Sequence, residues 1–300
     1  MSRKKLDSVP DKIRESLADL ETVPWLPQLT TTIVENAREA LYSRTGISVP
    51  DYGTARVLAG RPDTPRNITA RLPICPNVES TSVLLIEALS SEDRCRYQDM
   101  GLAFCTSDET MFPAVCDCLR EAVNLLRHEH SLQTTIAALV RVCHILKADD
   151  DYDVSHSDPQ VPFSIFISVP RRRRPNDALR VIESIVHEAM HLQLTLIERK
   201  LPLVDRSAST HFSPWKGAYR SPQGVLHALY VFRVIDKYFE RLQTHSTLSV
   251  ADASYLSDRR ETISKQIDEI RTFGECPALT NLGSEVVWSL LNSENPGPLN

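Results

Sequence analysis

The sequence predicts a mainly α protein with a small β element, and three observations carry that prediction. Apolar residues recur at helical spacing along most of the chain, as in Ile13, Leu17 and Leu20 or Ile33, Ala37 and Leu41. Glycine is scarce: nine in 300 residues is less than half the usual share of about 7%, which argues against a turn-rich all-β fold and against glycine-rich phosphate loops. One run alone, Val161 to Val169, has the β-branched and aromatic character of a strand.

The elements follow in order. Helices are expected from Pro10 to Leu41, broken near Pro24 and Pro27. From Ser48 to Pro76 the chain is polar, with prolines at 50, 62, 65, 73 and 76, and reads as an extended loop. Helical patterning resumes over Ser80–Leu89, Asp108–Leu126 and Leu132–Leu146, the last two able to form an antiparallel hairpin. An acidic stretch from Asp149 to Asp158 leads into the strand, which ends at Pro170. Asn176 suits the cap of a long helix running to about Arg199, with Asp177 in the first turn, where the helix dipole favours negative charge. A loop from Lys200 to Arg220 separates it from a second long helix, which starts at Ser221 with Pro222 as its first helical residue and reaches about Leu242. Two more helices, near Val250–Phe273 and Leu279–Leu291, precede a tail with Pro296 and Pro298 that reads as disordered. The pattern divides the chain into a helical N-terminal half, residues 1–148, and a C-terminal region, residues 149–300, that carries the chemistry.

Composition removes several function classes. With 42% hydrophobic and 24% charged residues the chain is that of a soluble globular protein, and no apolar run approaches the roughly 20 residues that span a bilayer. The start, Met1-Ser-Arg-Lys-Lys-Leu-Asp7, leads into no apolar core, so the expected compartment is the cytoplasm, with no membrane partner. A net charge of −5 supplies no basic field for nucleic acid. The seven cysteines form no CxxC pair and read as reduced thiols. Cys116 and Cys118, with His128 and His130 further on, make a poor metal set because residues two apart on a helix point to different faces. The arginine run 171–174, between strand and helix, reads as a solvated loop.

The informative stretch is His187-Glu188-Ala-Met-His191. An HExxH on a helix brings two imidazoles onto one face about 5–6 Å apart at Cβ, the spacing of two ligands on one metal. The surrounding helix is apolar nearly all round, so these polar groups are buried and need partners. A glycine and a histidine at positions 194 and 197 would complete a metzincin protease, but Leu194 and Ile197 stand there. Glu198 lies on the face of His187 but about 16 Å along the axis, too far to share its metal. His227, in the apolar run Gly224-Val-Leu-His-Ala-Leu-Tyr-Val-Phe232, is the candidate third ligand, with His211 in reserve.

The run His187 to His191, followed by Phe212-Ser-Pro-Trp-Lys216, Arg220-Ser-Pro222 and Gly224-Val-Leu-His227, resembles the HExxH-motif proteins of peptide-modification pathways. The resemblance covers roughly residues 150 to 245. It implies an iron(II)- and 2-oxoglutarate-dependent dioxygenase that hydroxylates the β-carbon of a residue in a peptide or peptide-like substrate, such as a ribosomally made precursor. In that family an arginine usually follows the tryptophan, where Lys216 stands here; this leaves Arg220 as the arginine best aligned with the motif, to receive the far carboxylate of 2-oxoglutarate through a planar, bidentate fork. Trp215 would wall the site or anchor its loop. Glu188 would orient a ligand or a bound water, or itself ligate the iron. Two other readings stay open: a zinc metallopeptidase in which Glu188 is the general base, with Glu240 the glutamate that α-helix offers, and a helical binding protein with a relict metal site.

Overall fold

The computed structural model describes residues 9–18, 20, 23–74, 83–105, 112–149, 152–171, 174–205, 209–245 and 247–292. Its helices are α1 (Val9–Ala18), α2 (Pro27–Thr45), α3 (Thr54–Ala59), α4 (Ser91–Gln98), α5 (Phe112–Leu125), α6 (His130–Leu139), α7 (Asp177–Glu198), α8 (Pro222–His245), α9 (Val250–Asp268) and α10 (Asn281–Asn292). Its strands are β1 (Ile68–Pro73), β2 (Val83–Glu87), β3 (Ala103–Phe104), β4 (Val142–Lys147), β5 (Ser155–His156), β6 (Ser164–Ser168), β7 (His211–Ser213) and β8 (Ala218–Arg220). The protein is mainly α with a small sheet, as the periodicity predicts. Among the described residues no helix is long and apolar enough to cross a membrane.

The sheet runs β1-β2-β4-β6-β5, with β3 also paired to β4. Its centre is parallel, β2 to β4 and β4 to β6, and its margins are antiparallel. The parallel strands β4 and β6 are buried on both faces because helices cover them, so they read as continuous apolar runs rather than alternating ones.

That arrangement corrects the helical reading of the first half, where four of these strands lie. Val83–Glu87, expected in a helix over 80–89, is β2, and residues 80–82 fall outside the described ones. The helix expected over 132–146 stops at Leu139, and Val142–Lys147 is the central strand β4. The proline-rich stretch 48–76 holds α3 and β1, and the loop 200–220 holds the β7–β8 hairpin. The helix expected from Val250 to Phe273 ends at Asp268. The tail after 292 and residues 172–173 of the arginine run lie outside the described residues. The boundary at 148/149 falls between β4 and β5, which belong to one sheet, and one hydrophobic core runs through both halves.

The two long helices form where expected. Helix α8 starts at Pro222, with Ser221 Oγ accepting from the Gly224 amide at 3.2 Å. The start of α7 differs from expectation: Asn176 is left-handed (φ 71°) and gives no side-chain cap. Asp177, in the first turn, accepts from the preceding Arg174 amide at 2.7 Å and pairs with Arg180. Helix α7 packs on β5 and β6 of the sheet and against α2, α5, α6 and α8. Every face therefore meets a neighbour, and Ile182, Val186, Ala189, Met190 and Leu194 are completely buried. Each large aliphatic side chain buried this way contributes about 1.5–3 kcal/mol over an exposed one.

One buried polar residue ties the helices in register. Gln193 on α7 donates to the Trp25 carbonyl at 2.9 Å and to Thr30 Oγ1, and accepts from the Tyr230 hydroxyl of α8. That hydroxyl also reaches the Pro24 carbonyl at 2.8 Å. The α7–α8 pair is thereby fixed against the α1–α2 corner, and the side chains between the two long helices are held in place.

Candidate metal centre

His187 and His191 lie one turn apart on α7, and His227 faces them from α8. The Nε2 atoms of His187 and His191 are 3.1 Å apart, with the rings at 67° and their centroids 4.7 Å apart. Two imidazole nitrogens about 2.1 Å from one ion, at roughly 90–110°, stand about 3.0–3.4 Å apart, and their rings splay in this way. The pair has the geometry of two neighbouring ligands. Burial pushes His187 down to about 4, helped by the charges of Lys216 and Arg259, and holds His191 well below its ordinary value, helped by His187, His227 and Lys216. Both imidazoles are therefore neutral near pH 7, the form that binds a metal. A quarter of the His187 side chain stays exposed, so the pair is sheltered yet reachable.

His227 meets the other edge of His191. Nδ1 of each ring is 3.1 Å from the other, the rings are nearly parallel at 18°, and their centroids are 5.3 Å apart. The centroid distance exceeds the nitrogen distance by about two ring radii, so these nitrogens face head-on, as in a hydrogen bond. The far nitrogen of His227, Nε2, is 2.8 Å from Glu198 Oε2, which Gln223 also reaches at 2.9 Å. The structure thus brings the three expected imidazoles together in a row rather than around a point. Among the described residues no three His, Cys, Asp or Glu side chains converge on a common position.

Glu188 stands beside the pair, with Oε1 3.9 Å from His187 Nε2. Hydrogen bonds with Ser155 and Ser157, on and just after β5, and the charge of Lys216 favour its anion, but burial outweighs them and pushes the carboxyl up to about 7. A divalent cation alongside would offset that penalty, so the buried carboxylate and the imidazole pair fit a metal.

The other expected residues separate. Lys216 lies at the tip of the β7–β8 hairpin, exposed, with its charge acting on His187, Glu188 and His191. Arg220 is exposed at the end of β8, opposite His211. His211 turns to Phe273, edge-on at 4.9 Å, and not to the imidazole row. Trp215 stacks on Phe232 at 5.3 Å, and Phe232 meets His187 edge-on at the same distance. Tryptophan and phenylalanine therefore wall the site.

Sequence reasoning missed five participants. Arg259 of α9 lies over Phe232 at 5.3 Å and donates twice to Glu183 Oε1, at 2.9 and 2.6 Å, while Tyr255 holds Oε2 at 3.1 Å. Ser155 and Ser157 sit in a stretch read only as acidic and polar. Glu183 could have been found, since it lies one turn before His187 on the polar stripe of α7. No protein-family model matches the chain, and no curated protein matches it at a significant level.

Proposed function

We propose that the protein is an iron(II)- and 2-oxoglutarate-dependent dioxygenase that hydroxylates a side-chain β-carbon in a peptide or peptide-like substrate in the cytoplasm, a ribosomally made precursor being the natural class. The observation that carries the metal is the His187–His191 pair: two partly buried, neutral imidazoles whose Nε2 atoms approach to 3.1 Å beside the buried carboxyl of Glu188. The reaction class comes from the resemblance of residues 150 to 245 to the HExxH proteins of peptide-modification pathways. Bound iron would supply oxygen activation, with 2-oxoglutarate as the co-substrate that is oxidised.

The chain's own residues have defined parts. His187 and His191 hold the ion through Nε2, and His227 completes the centre from behind His191. Glu188, gripped by Ser155 and Ser157, presents its carboxyl to the same space. Lys216, whose charge reaches all three site groups, is better placed than Arg220 to receive the far carboxylate of 2-oxoglutarate. Trp215 and Phe232 keep water from one side of the site.

The alternative, a zinc metallopeptidase with Glu188 as general base, calls for a glutamate from α8. Glu240 on that helix is engaged by Lys237 and lies 3.9 Å from Arg260. The test is anaerobic reconstitution of the full chain with iron(II), followed by oxygen and 2-oxoglutarate. Succinate formation is expected, with Lys216→Ala raising the apparent KM for 2-oxoglutarate at least tenfold and Arg220→Lys raising it less. Peptide-bond cleavage restored by zinc, with no succinate, transfers the protein to the peptidases.

A further inference from the structure

We infer that Glu198 and His227 form a positioning relay behind His191, in which Glu198 fixes His227, His227 fixes the tautomer and tilt of His191, and His191 is left with Nε2 bare toward the ion it shares with His187. The inference rests on the metal-centre reading above. It assigns His227 a place behind a ligand rather than on the metal, and it gives a task to Glu198, which the helical spacing alone excludes from the site.

The relay follows from counting nitrogens and protons. A neutral imidazole carries one N–H. If Nε2 of His191 binds an ion, its proton must sit on Nδ1, and the atom 3.1 Å away along that direction is Nδ1 of His227. That nitrogen must then accept, so the proton of His227 lies on Nε2, 2.8 Å from Glu198 Oε2, and the carboxylate closes the chain as an acceptor. Each link has a donor, an acceptor and hydrogen-bond distance, with no proton left over. Ligating histidines are ordinarily held through their other N–H, which sets the tautomer and raises ligand basicity. Glu198 is itself anchored by Gln223 at 2.9 Å, in the first turn of α8. His227 and Glu198 are only 12% and 11% exposed at their side chains, so water competes weakly for either bond.

The two imidazole contacts also differ in kind. His187 and His191 converge obliquely at 67°, as ligands do, whereas His191 and His227 face head-on at 18°, as hydrogen-bonded rings do. An ion on Nε2 of His191 is beyond the reach of Nδ1 of His227, which meets the other edge of the ring.

The experiment is a cobalt(II) titration of the full-length protein followed by visible absorption, with nitrogen-15 histidine NMR of the zinc-loaded protein. The wild type should bind one cobalt ion, and zinc-loaded His191 should appear as the Nδ1–H tautomer with His227 as Nε2–H. Glu198→Ala and His227→Ala should each weaken cobalt about 10–100-fold while leaving the absorption envelope unchanged. Glu198→Gln keeps an acceptor carbonyl and should recover most of the affinity, which a merely structural role for the carboxylate does not predict. His191→Ala should abolish the spectrum. The relay is overturned if His227→Ala removes or reshapes the spectrum as His191→Ala does, since His227 is then a ligand. It is overturned equally if Glu198→Ala leaves affinity and the His191 resonance unmoved. A wild type that binds no cobalt at all contradicts the metal centre itself, and the relay with it. Circular dichroism of each variant separates these results from misfolding, and His227→Gln serves if the alanine variant does not fold.

Discussion

His144 on β4 and His187 on α7 are both pushed down to about 4 by burial, and in each case Nε2 lies 3.9 Å from a buried glutamate, Glu87 or Glu188. Their surroundings part there. His144 has an oxygen at each nitrogen: Thr54 Oγ1 at 2.7 Å from Nε2 and the Glu87 carbonyl at 2.8 Å from Nδ1. The Thr54 hydroxyl continues to Ser164 at 2.7 Å and Ser164 to Tyr52 at 2.9 Å, Phe166 stacks on the ring at 4.6 Å, and nothing of His144 is exposed. His187 instead meets nitrogen with nitrogen and keeps part of its ring open to solvent. A buried histidine saturated by oxygen partners is part of the core. One whose Nε2 meets the Nε2 of another neutral imidazole lacks that saturation, and a cation between the two nitrogens is what the arrangement suits.

The largest expected effect separates the two regions by stability. His144→Ala leaves a cavity and strips partners from Thr54 and the Glu87 carbonyl, so it should lower the unfolding free energy by about 3–4 kcal/mol in urea titration. His187→Ala should change the metal-free protein by less than about 1 kcal/mol. Equal losses would erase the distinction drawn between them.

A second contrast appears against pH. His144 binds a proton less readily folded than unfolded, so its contribution is present above pH 6.5 and is lost as the pH falls toward about 4, roughly 3 kcal/mol in all. Glu188 acts in the opposite sense: its carboxyl is raised from 4.5 to about 7, the folded state keeps a proton that the unfolded chain gives up, and stability declines as the pH rises through that window. In metal-free protein, His144→Asn should flatten the acid limb below 6.5, and Glu188→Gln should remove the decline between 4.5 and 7. If each variant altered the other limb, the assignment of the two charges would be wrong.

Much of the site was legible in the sequence, while most of the sheet was not. Helix α7 could be read because its polar residues form one stripe through a long apolar pattern, and α8 because Pro222 marks its first turn. The strands β2 and β4 are short, continuously apolar runs, and such runs carry no period that distinguishes a covered strand from a buried helix. The periodicity consequently places His144 in a helix, and its bond with Thr54, which lies 90 residues before it and 110 before Ser164, leaves no local trace. Distance along α7 separates Glu198 from His187. What spacing could not show is that His227, arriving from α8, spans the interval between His191 and Glu198.

The smallest effect tests the sheet cluster alone. Thr54→Val keeps the shape but removes the hydroxyl between His144 and Ser164, and should cost about 1–2 kcal/mol in thermal or urea unfolding with no change in metal affinity. A loss of metal affinity in that variant would mean that the two regions are coupled.

The central claim is that the α7 pair, and not the fully buried histidine of the sheet, carries an ion. Elemental analysis after anaerobic loading with iron(II) and desalting tests it directly. One ion per chain is expected in the wild type and in His144→Asn, and close to none in His187→Ala or His191→Ala. Iron retained in the His187→Ala, His191→Ala double variant, or absent from the wild type, would contradict the account.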